Sequence, residues 1–278
     1  MVSESRDTDI PFGVQEYVQA LKASKRLGGQ VVFHKVLPAV GPQWSDPVKS
    51  WPPRLARVLK ASGMEKLYRH QAEAMDLARS GQHVVVATPT ASGKTLVYIL
   101  TYLELLLANP DARALYLFPL KALAQYHLLN FNNTASFLSG RQPSALIYHR
   151  DTSRPQRRRI RERPPGVIIT NPEMLNLSFL PHHQAWAAYF SSLQLVVVDE
   201  VHTYRGVMGS HMAQVFRRLR RICRYYGVDP GFIFNSATVA NPAELAEQLT
   251  GLPVQTVLKS GHPRGKRQTV CIDPLQGP

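Results

Sequence analysis

The sequence predicts an α/β fold: a mostly parallel sheet with helices on both faces, preceded by a short N-terminal extension. Three observations carry this expectation. From Leu67 onward, strand-length apolar runs alternate with helix-forming runs, the order that builds a parallel sheet through helical crossovers. The strand-like runs are apolar throughout, as in Leu195-Val196-Val197-Val198, and lack the polar alternation of a half-solvated strand. One such run, Val84-Val85-Val86-Ala87, leads into Thr88-Pro89-Thr90-Ala91-Ser92-Gly93-Lys94-Thr95 and then a helix-forming stretch, the layout of a phosphate-binding loop.

The elements follow in order. Val14, Tyr17, Val18 and Leu21 are spaced for a short amphipathic helix, stopped at Gly28-Gly29. Gln30 to Leu37 reads as a short strand. Pro38, Pro42, Pro47, Pro52 and Pro53, with Trp44 and Trp51, exclude regular helix or a central strand. The expectation there is an extended strap whose tryptophans dock on the main domain. Helices are predicted over 55–61, 68–79, 96–108, 120–138, 208–226 and 242–249. Strands are predicted over 83–87, 114–118, 145–148, 166–170, 193–198, 232–234 and 254–257. Pro172 suits the first turn of a further helix. Residues 259–278, rich in Lys, Arg, Gly and Pro, read as a linker or tail. The expected organisation is an extension over 1–64, an α/β domain over 65–258 and a tail over 259–278.

Composition narrows the class. The chain has 278 residues, 44% hydrophobic and 19% charged, which is globular material. It contains no run of about 18 apolar residues that would span a bilayer. Met1 to Asp9 is polar and acidic and has no apolar signal core, so a cytoplasmic location is expected, nucleoid-associated in a bacterium. Cys223 and Cys271 lie far apart and show no metal spacing. A net charge of +14 points to a polyanionic partner, most often nucleic acid; a basic solvated surface is the alternative.

The phosphate loop dictates the chemistry. Backbone N–H groups from Thr88 through Thr90, Ala91, Ser92 and Gly93 would cradle phosphates. Lys94 would reach the β- and γ-phosphates, and the Thr95 hydroxyl would sit on Mg²⁺. The pattern wants glycine where Thr88 stands and commonly another at Ala91. A second anchor is Asp199-Glu200-Val201-His202, directly after an apolar strand. Ligands of such sheets bind outside the carboxyl ends of the strands, so the two anchors can meet. Asp199 would then supply a carboxylate to Mg²⁺, and Glu200 would orient and deprotonate the attacking water. Lys94, Asp199 and Glu200 form the expected catalytic set. His202 either relays nucleotide state or caps a helix.

Asp199-Glu200-Val201-His202 resembles the DExH box of superfamily 2 helicases. Other family motifs of the first motor domain then fall in order. Tyr68-Arg69-His70-Gln71 is similar to the adenine-reading motif, which would give Gln71 to the base. Phe118-Pro119-Leu120-Lys121 and Thr170-Asn171-Pro172-Glu173 resemble two strand-contacting motifs, implying nucleic-acid contacts at Pro119, Lys121, Thr170, Asn171 and Pro172. Ser236-Ala237-Thr238 is similar to the motif that couples hydrolysis to domain movement, together with His202. His202-Thr203-Tyr204-Arg205-Gly206, Gly209-Ser210-His211 and Val32-Phe33-His34-Lys35 resemble the YprA-type branch, the mitomycin-repair-factor-like helicases related to RecQ enzymes. The resemblance implies a RecA-like domain, ATP and Mg²⁺ as cofactors, and 3′→5′ movement on single-stranded or partly duplex DNA. Nothing after residue 260 resembles the second RecA-like domain, its arginine finger or the cysteine-bearing domain of that branch, so the chain is expected to hold the first motor domain alone. Two alternatives stay open: a DExH RNA helicase domain, because these motifs do not read the sugar, and a nucleotide- and nucleic-acid-binding module that never turns over.

Two basic clusters complete the sequence. Arg154, Arg157, Arg158, Arg159, Arg161 and Arg163 crowd one segment, either as a polyanion contact or as a solvated helix face. Arg217, Arg220, Arg221 and Arg224 oppose Val215, Leu219, Ile222 and Tyr226 across a predicted helix and read as a solvated face. Tyr148, His149, His182 and His183 lack metal spacing and are taken as packing or surface residues.

Overall fold

The computed structural model describes residues 13–140 and 142–276. The polar Met1–Asp9 stretch therefore lies outside the described residues. The chain divides into two compact units, one formed by 1–42 with 263–278 and the other by 43–262.

The first unit contains helix α1 (Val14–Ala23) and strand β1 (Val31–Leu37) from the N-terminal side. Residues 259–278, expected as a linker, instead contain a strand, β11 (Arg267–Ile272), which pairs antiparallel with β1 from Val31↔Ile272 to Leu37↔Arg267. Thr269, Val270 and Ile272 favour extended backbone. The flanking Lys, Arg, Gly and Pro residues hid that preference, and the partner strand lies more than 200 positions away.

The second unit opens with the proline-rich strap. β2 (Trp44–Ser45) pairs with β3 (Leu67–Tyr68), and the Trp44 ring stacks on Tyr68 at 4.5 Å. Trp51 packs against the core with the Arg79 guanidinium 4.4 Å above its ring. Trp51 is thus docked on the core, whereas Trp44 stays exposed on one face. Helices α2 (Pro53–Ala61) and α3 (Arg69–Arg79) follow.

The sheet itself contains β4 (His83–Ala87), β5 (Arg113–Leu117), β6 (Ala145–Ile147), β7 (Val167–Thr170), β8 (Leu193–Val198), β9 (Gly231–Ser236) and β10 (Val254–Val257). All seven are parallel, in the order β10-β4-β9-β8-β5-β7-β6. Between them run α4 (Lys94–Ala108), α5 (Lys121–Ala135), α6 (Arg154–Glu162), the short α7 (Pro172–Met174) and α8 (Ala187–Phe190), then α9 (Gly206–Tyr225) and α10 (Pro242–Thr250). Side chains alternate across the sheet because strand periodicity is two. Val84, Val86, Ala114, Tyr116, Leu195, Val197 and Ile233 face a core shared with α2 to α5. Val85, Leu115, Leu117, Val196, Val198, Phe232 and Phe234 face a second core shared with α7 to α10. Both faces are therefore dry, which explains the uninterrupted apolar runs. No helix among the described residues is long and apolar enough to cross a membrane.

The strand order places the chemistry. β4 and β8, which end in the two anchors, are separated only by β9. The ends of these three parallel strands bring Thr88–Thr95, Ser236-Ala237-Thr238 and Asp199-Glu200 to one edge of the sheet.

Candidate nucleotide and nucleic-acid site

The phosphate loop is closed by its own hydroxyls. Thr88 and Ser92, both buried, share a hydrogen bond of 2.7 Å. Thr88 does not need to be glycine, because the left-handed residues of the loop are Ala91 (φ 60°) and Gly93 (φ 85°). Ala91 carries the strain that glycine would relieve at that position. Gly93 is the N-cap of α4, and a Cβ there would sit 2.7 Å from Gln71 Nε2. The Lys94 ammonium donates to the carbonyls of Thr88 (2.8 Å) and Pro89 (3.0 Å). Burial lowers the Lys94 pKa, and the carboxylates of Glu200 and Asp199 oppose that shift.

Gln71 lies against the loop. Its Nε2 donates to Gly93 O at 2.9 Å, and its Oε1 accepts from Tyr68 N at 2.8 Å in a capping box that starts α3. One donor and one acceptor of the amide remain for a base.

Asp199 and Glu200 follow β8. Asp199 is 6% exposed and its N–H donates to Leu117 O. Burial and the neighbouring Glu200 raise the Asp199 pKa to about 6, while the Asn235 side chain and Lys94 favour its charged form. His127 from α5 places Nε2 at 3.5 Å from Asp199 Oδ2. Tyr98 bonds the other ring nitrogen at 2.6 Å, and Phe118 stacks on the ring at 4.0 Å. Glu200 has left-handed backbone (φ 51°), an uncommon conformation for a residue with a side chain. The His202 ring touches both neighbouring motifs. Its Nδ1 accepts from Ala237 N at 3.2 Å and lies 3.2 Å from Glu200 Oε2. One nitrogen cannot accept from the first and donate to the second at once, so His202 satisfies one of them at a time.

Gln71, Thr90, Ala91, Ser92, Gly93, Lys94, Thr95, Asp199 and Glu200 line one cavity of about 650 Å³, with His127 and Asn235 also in its wall. Thr95 and Asp199 present hard oxygen donors to the same space, as Mg²⁺ prefers. Among the described residues no three His, Cys, Asp or Glu side chains converge to hold a metal alone. An Mg²⁺ here would complete its shell with phosphate oxygens and water.

Of the residues expected to contact a strand, Lys121, Thr170 and Asn171 line one small groove together with His149. Lys121 is exposed and ion-paired with Asp151. Asn171 Oδ1 accepts from Met174 N at 2.8 Å as the N-cap of α7, which leaves its amide N–H groups free to donate elsewhere. Thr170 is buried and its hydroxyl donates to Tyr148 O at 2.5 Å. Pro172 is buried and Pro119 half-buried.

Comparison with known proteins now decides the family. A DEAD/DEAH box helicase model matches residues 68–245. The chain belongs to the DEAD/DEAH box helicase family. This helicase domain is 42% identical over 259 residues to the uncharacterized ATP-dependent helicase YprA of Bacillus subtilis, covering 93% of the chain and 34% of that protein. It is 36% identical over 213 residues to the ATP-dependent helicase HRQ1 of Saccharomyces cerevisiae, covering 76% of the chain and 20% of that protein. The DUF1998 helicase MrfA, solved bound to DNA, superposes with a TM-score of 0.86 at 41% identity, over 93% of this chain and 36% of that one. These likenesses put the domain in the YprA/Hrq1-like branch of superfamily 2 and give it a RecA-like fold. The chain spans about a third or less of the length of the curated relatives named here.

Sequence reasoning passed over His127 and Asn235. His127 sits among Ala124, Phe131 and Ala135, all buried on α5. A polar residue at a buried helical position was the signal available. Asn235 occupies a buried position of β9, directly after Phe232-Ile233-Phe234.

Proposed function

We propose that the protein is the nucleotide-hydrolysing domain of an ATP- and Mg²⁺-driven DNA helicase or translocase that moves 3′→5′. The observation that carries this is the convergence of Lys94, Thr95, Asp199 and Glu200 on one cavity, from loops that follow β4 and β8. In this reading Lys94 leaves its loop carbonyls for the β- and γ-phosphates, because a phosphate outcompetes neutral carbonyls for an ammonium. Gln71 reads adenine with its remaining donor and acceptor. Thr95 and Asp199 hold Mg²⁺, which supplies charge neutralisation at the phosphates. Glu200 takes the proton of the attacking water. His202 passes the change at Glu200 to Ser236, Ala237 and Thr238. Lys121, Asn171 and their neighbours Pro119, Thr170 and Pro172 hold the backbone of a single strand.

Residues 65–258 act as the motor domain. Turnover at a useful rate calls for arginines from a second RecA-like domain, a contribution on the order of 10³–10⁵ in rate. The chain of 278 residues by itself is expected to bind ATP and strand, hydrolyse slowly and not unwind. DNA is favoured over RNA because the similar MrfA was solved bound to DNA. The reading goes with a cytoplasmic location.

The test is calorimetric ATP·Mg²⁺ titration and steady-state ATPase, with and without single-stranded DNA or RNA of one sequence. Lys94→Ala should lose ATP affinity, and Glu200→Gln should keep affinity and lose turnover. Equal ATP affinity for Lys94→Ala and the parent refutes the nucleotide site. A clear preference for RNA refutes the DNA assignment.

A further inference from the structure

We propose that α6 is a second phosphate-binding surface, which takes nucleic-acid backbone outside the strand groove. This rests on the nucleic-acid reading above and goes beyond the residues that it uses. Five of the nine residues of α6 (RPQRRRIRE) are arginine, and Arg150 and Arg163 flank it. The acids nearby are already engaged: Asp151 pairs with Lys121 and Glu162 with Arg158. Arg154, Arg159 and Arg161 are exposed, and no carboxylate of a described residue lies in ion-pair reach of them.

A solvated helix face alternates the sign of its charges, because like charges four residues apart repel. On α6 only Arg158 and Glu162 form such an opposite-sign pair. Arg154 and Arg158, Arg157 and Arg161, and Arg159 and Arg163 are all four apart, and Arg154 faces the positive end of the helix dipole. The repulsion persists because the helix is held from below. Ile160 is 5% exposed and packs in the second core. Arg157 turns inward and donates to the carbonyls of Thr152 (2.9 Å), His149 (3.2 Å) and Arg150 (2.9 Å), over the ring of Tyr148. Ser153 and Gln156 close a capping box at its start. Arg157 fixes the helix, and Arg154, Arg159 and Arg161 lie exposed along it.

That array begins where the strand groove ends. The 149–152 turn held by Arg157 supplies His149 to the groove and Asp151 to Lys121. His149 Nδ1 is buried there without a partner. Arg154 and Arg161 share one helix face about 10 Å apart along the axis, close to three steps of a duplex backbone at ~3.4 Å each. A polyanion that leaves the groove meets this row of guanidinium groups. Phosphate oxygens are the ligand that suits them, because each contact releases counterions and the planar forks bind oxygens bidentately.

The experiment measures binding of the 278-residue chain by fluorescence anisotropy across a salt series. One probe is a single strand of about 8 nucleotides, within the 4–16 that one compact site covers. The other is a fork with a single-stranded arm and a duplex arm. R154Q/R161Q is expected to leave the short probe unchanged and to reduce the log–log salt slope on the fork by about 1.4–1.8. R154K/R161K should restore the slope, because a point charge suffices for counterion release. Equal slopes on the fork for R154Q/R161Q and the parent overturn the proposal and leave the arginines to an acidic protein partner. Equal losses on both probes also overturn it, since α6 would then belong to the groove. Failure of the parent chain to bind either probe refutes the underlying nucleic-acid reading, whereas normal short-probe binding isolates the result to α6.

Discussion

His70 is expected to make the domain acid-sensitive, by an amount that follows from its surroundings. The ring is fully buried, and Nδ1 accepts from Gly261 N at 3.3 Å. Burial lowers its pKa to about 4; the Ser92 backbone opposes that shift, and the Lys94 and His262 charges add to it. The ordinary value of about 6.5 applies to the unfolded chain. Between these limits the unfolded chain takes up a proton that the folded domain refuses. The stabilisation is therefore complete above about pH 6.5 and is lost as pH falls toward 4. At pH 5 the loss works out at about 2 kcal/mol, from the ratio of the two protonation polynomials. His70→Asn keeps an acceptor for Gly261 and cannot titrate. Urea unfolding followed by circular dichroism at pH 7.5 and pH 5 should show the parent losing about 2 kcal/mol more than His70→Asn. The other buried titrating groups, His127 and Asp199, are common to both proteins and cancel in the difference. The same pH dependence in both, within about 0.5 kcal/mol, refutes the reasoning.

Three further outcomes are expected. Gly93→Ala forces a Cβ to within 2.7 Å of Gln71 Nε2 at φ 85°, so it should cost about 1–3 kcal/mol of stability and weaken ATP binding, read by thermal melt and calorimetry. Ala91→Gly removes a left-handed non-glycine residue (φ 60°) and should raise stability by about 1 kcal/mol with ATP affinity kept, measured by chemical denaturation. Asp151→Asn releases Lys121 from an exposed ion pair; because such pairs contribute only about 0–1 kcal/mol, strand affinity at low salt should rise by a few-fold at most. An unchanged anisotropy curve would show that Lys121 does not touch the strand.

Much of the fold could be read from local pattern, because the decisive features are local. Leu193–Val198 and His83–Ala87 are apolar on both faces, so they announced buried parallel strands. The phosphate loop was legible even with Thr88 in place of glycine, since only positions 91 and 93 of the loop need left-handed backbone. What escaped was set by distance in the chain. β11 finds its partner in β1, and β2 its partner in β3, through pairings that no local window contains. His127 and Asn235 reach the cavity lined by Lys94 and Glu200 from α5 and β9, and only the strand order brings those elements beside Asp199. The Thr170 hydroxyl is bonded to Tyr148 O, a neighbour supplied by the adjoining strand β6 and its loop, which no local window shows. The helix predicted over 120–138 ends at Ala135 instead, because Ser136 and Leu138 fold back in a turn.

The β1–β11 ribbon has a mechanical consequence. Its two strands run antiparallel, so residues 31 and 272 lie at the same end of the pairing, and Asp273 N donates to Gln30 O just beyond it. Tension applied across residues 30 and 273 would open the ladder one rung at a time, as a zipper, rather than shear all rungs together. The segment between, from 43 to 262, would feel no load until the last rung from Leu37 to Arg267 and the bridge from Val40 to Arg264 had parted. The ribbon is therefore a compliant element that opens from its outer end inward.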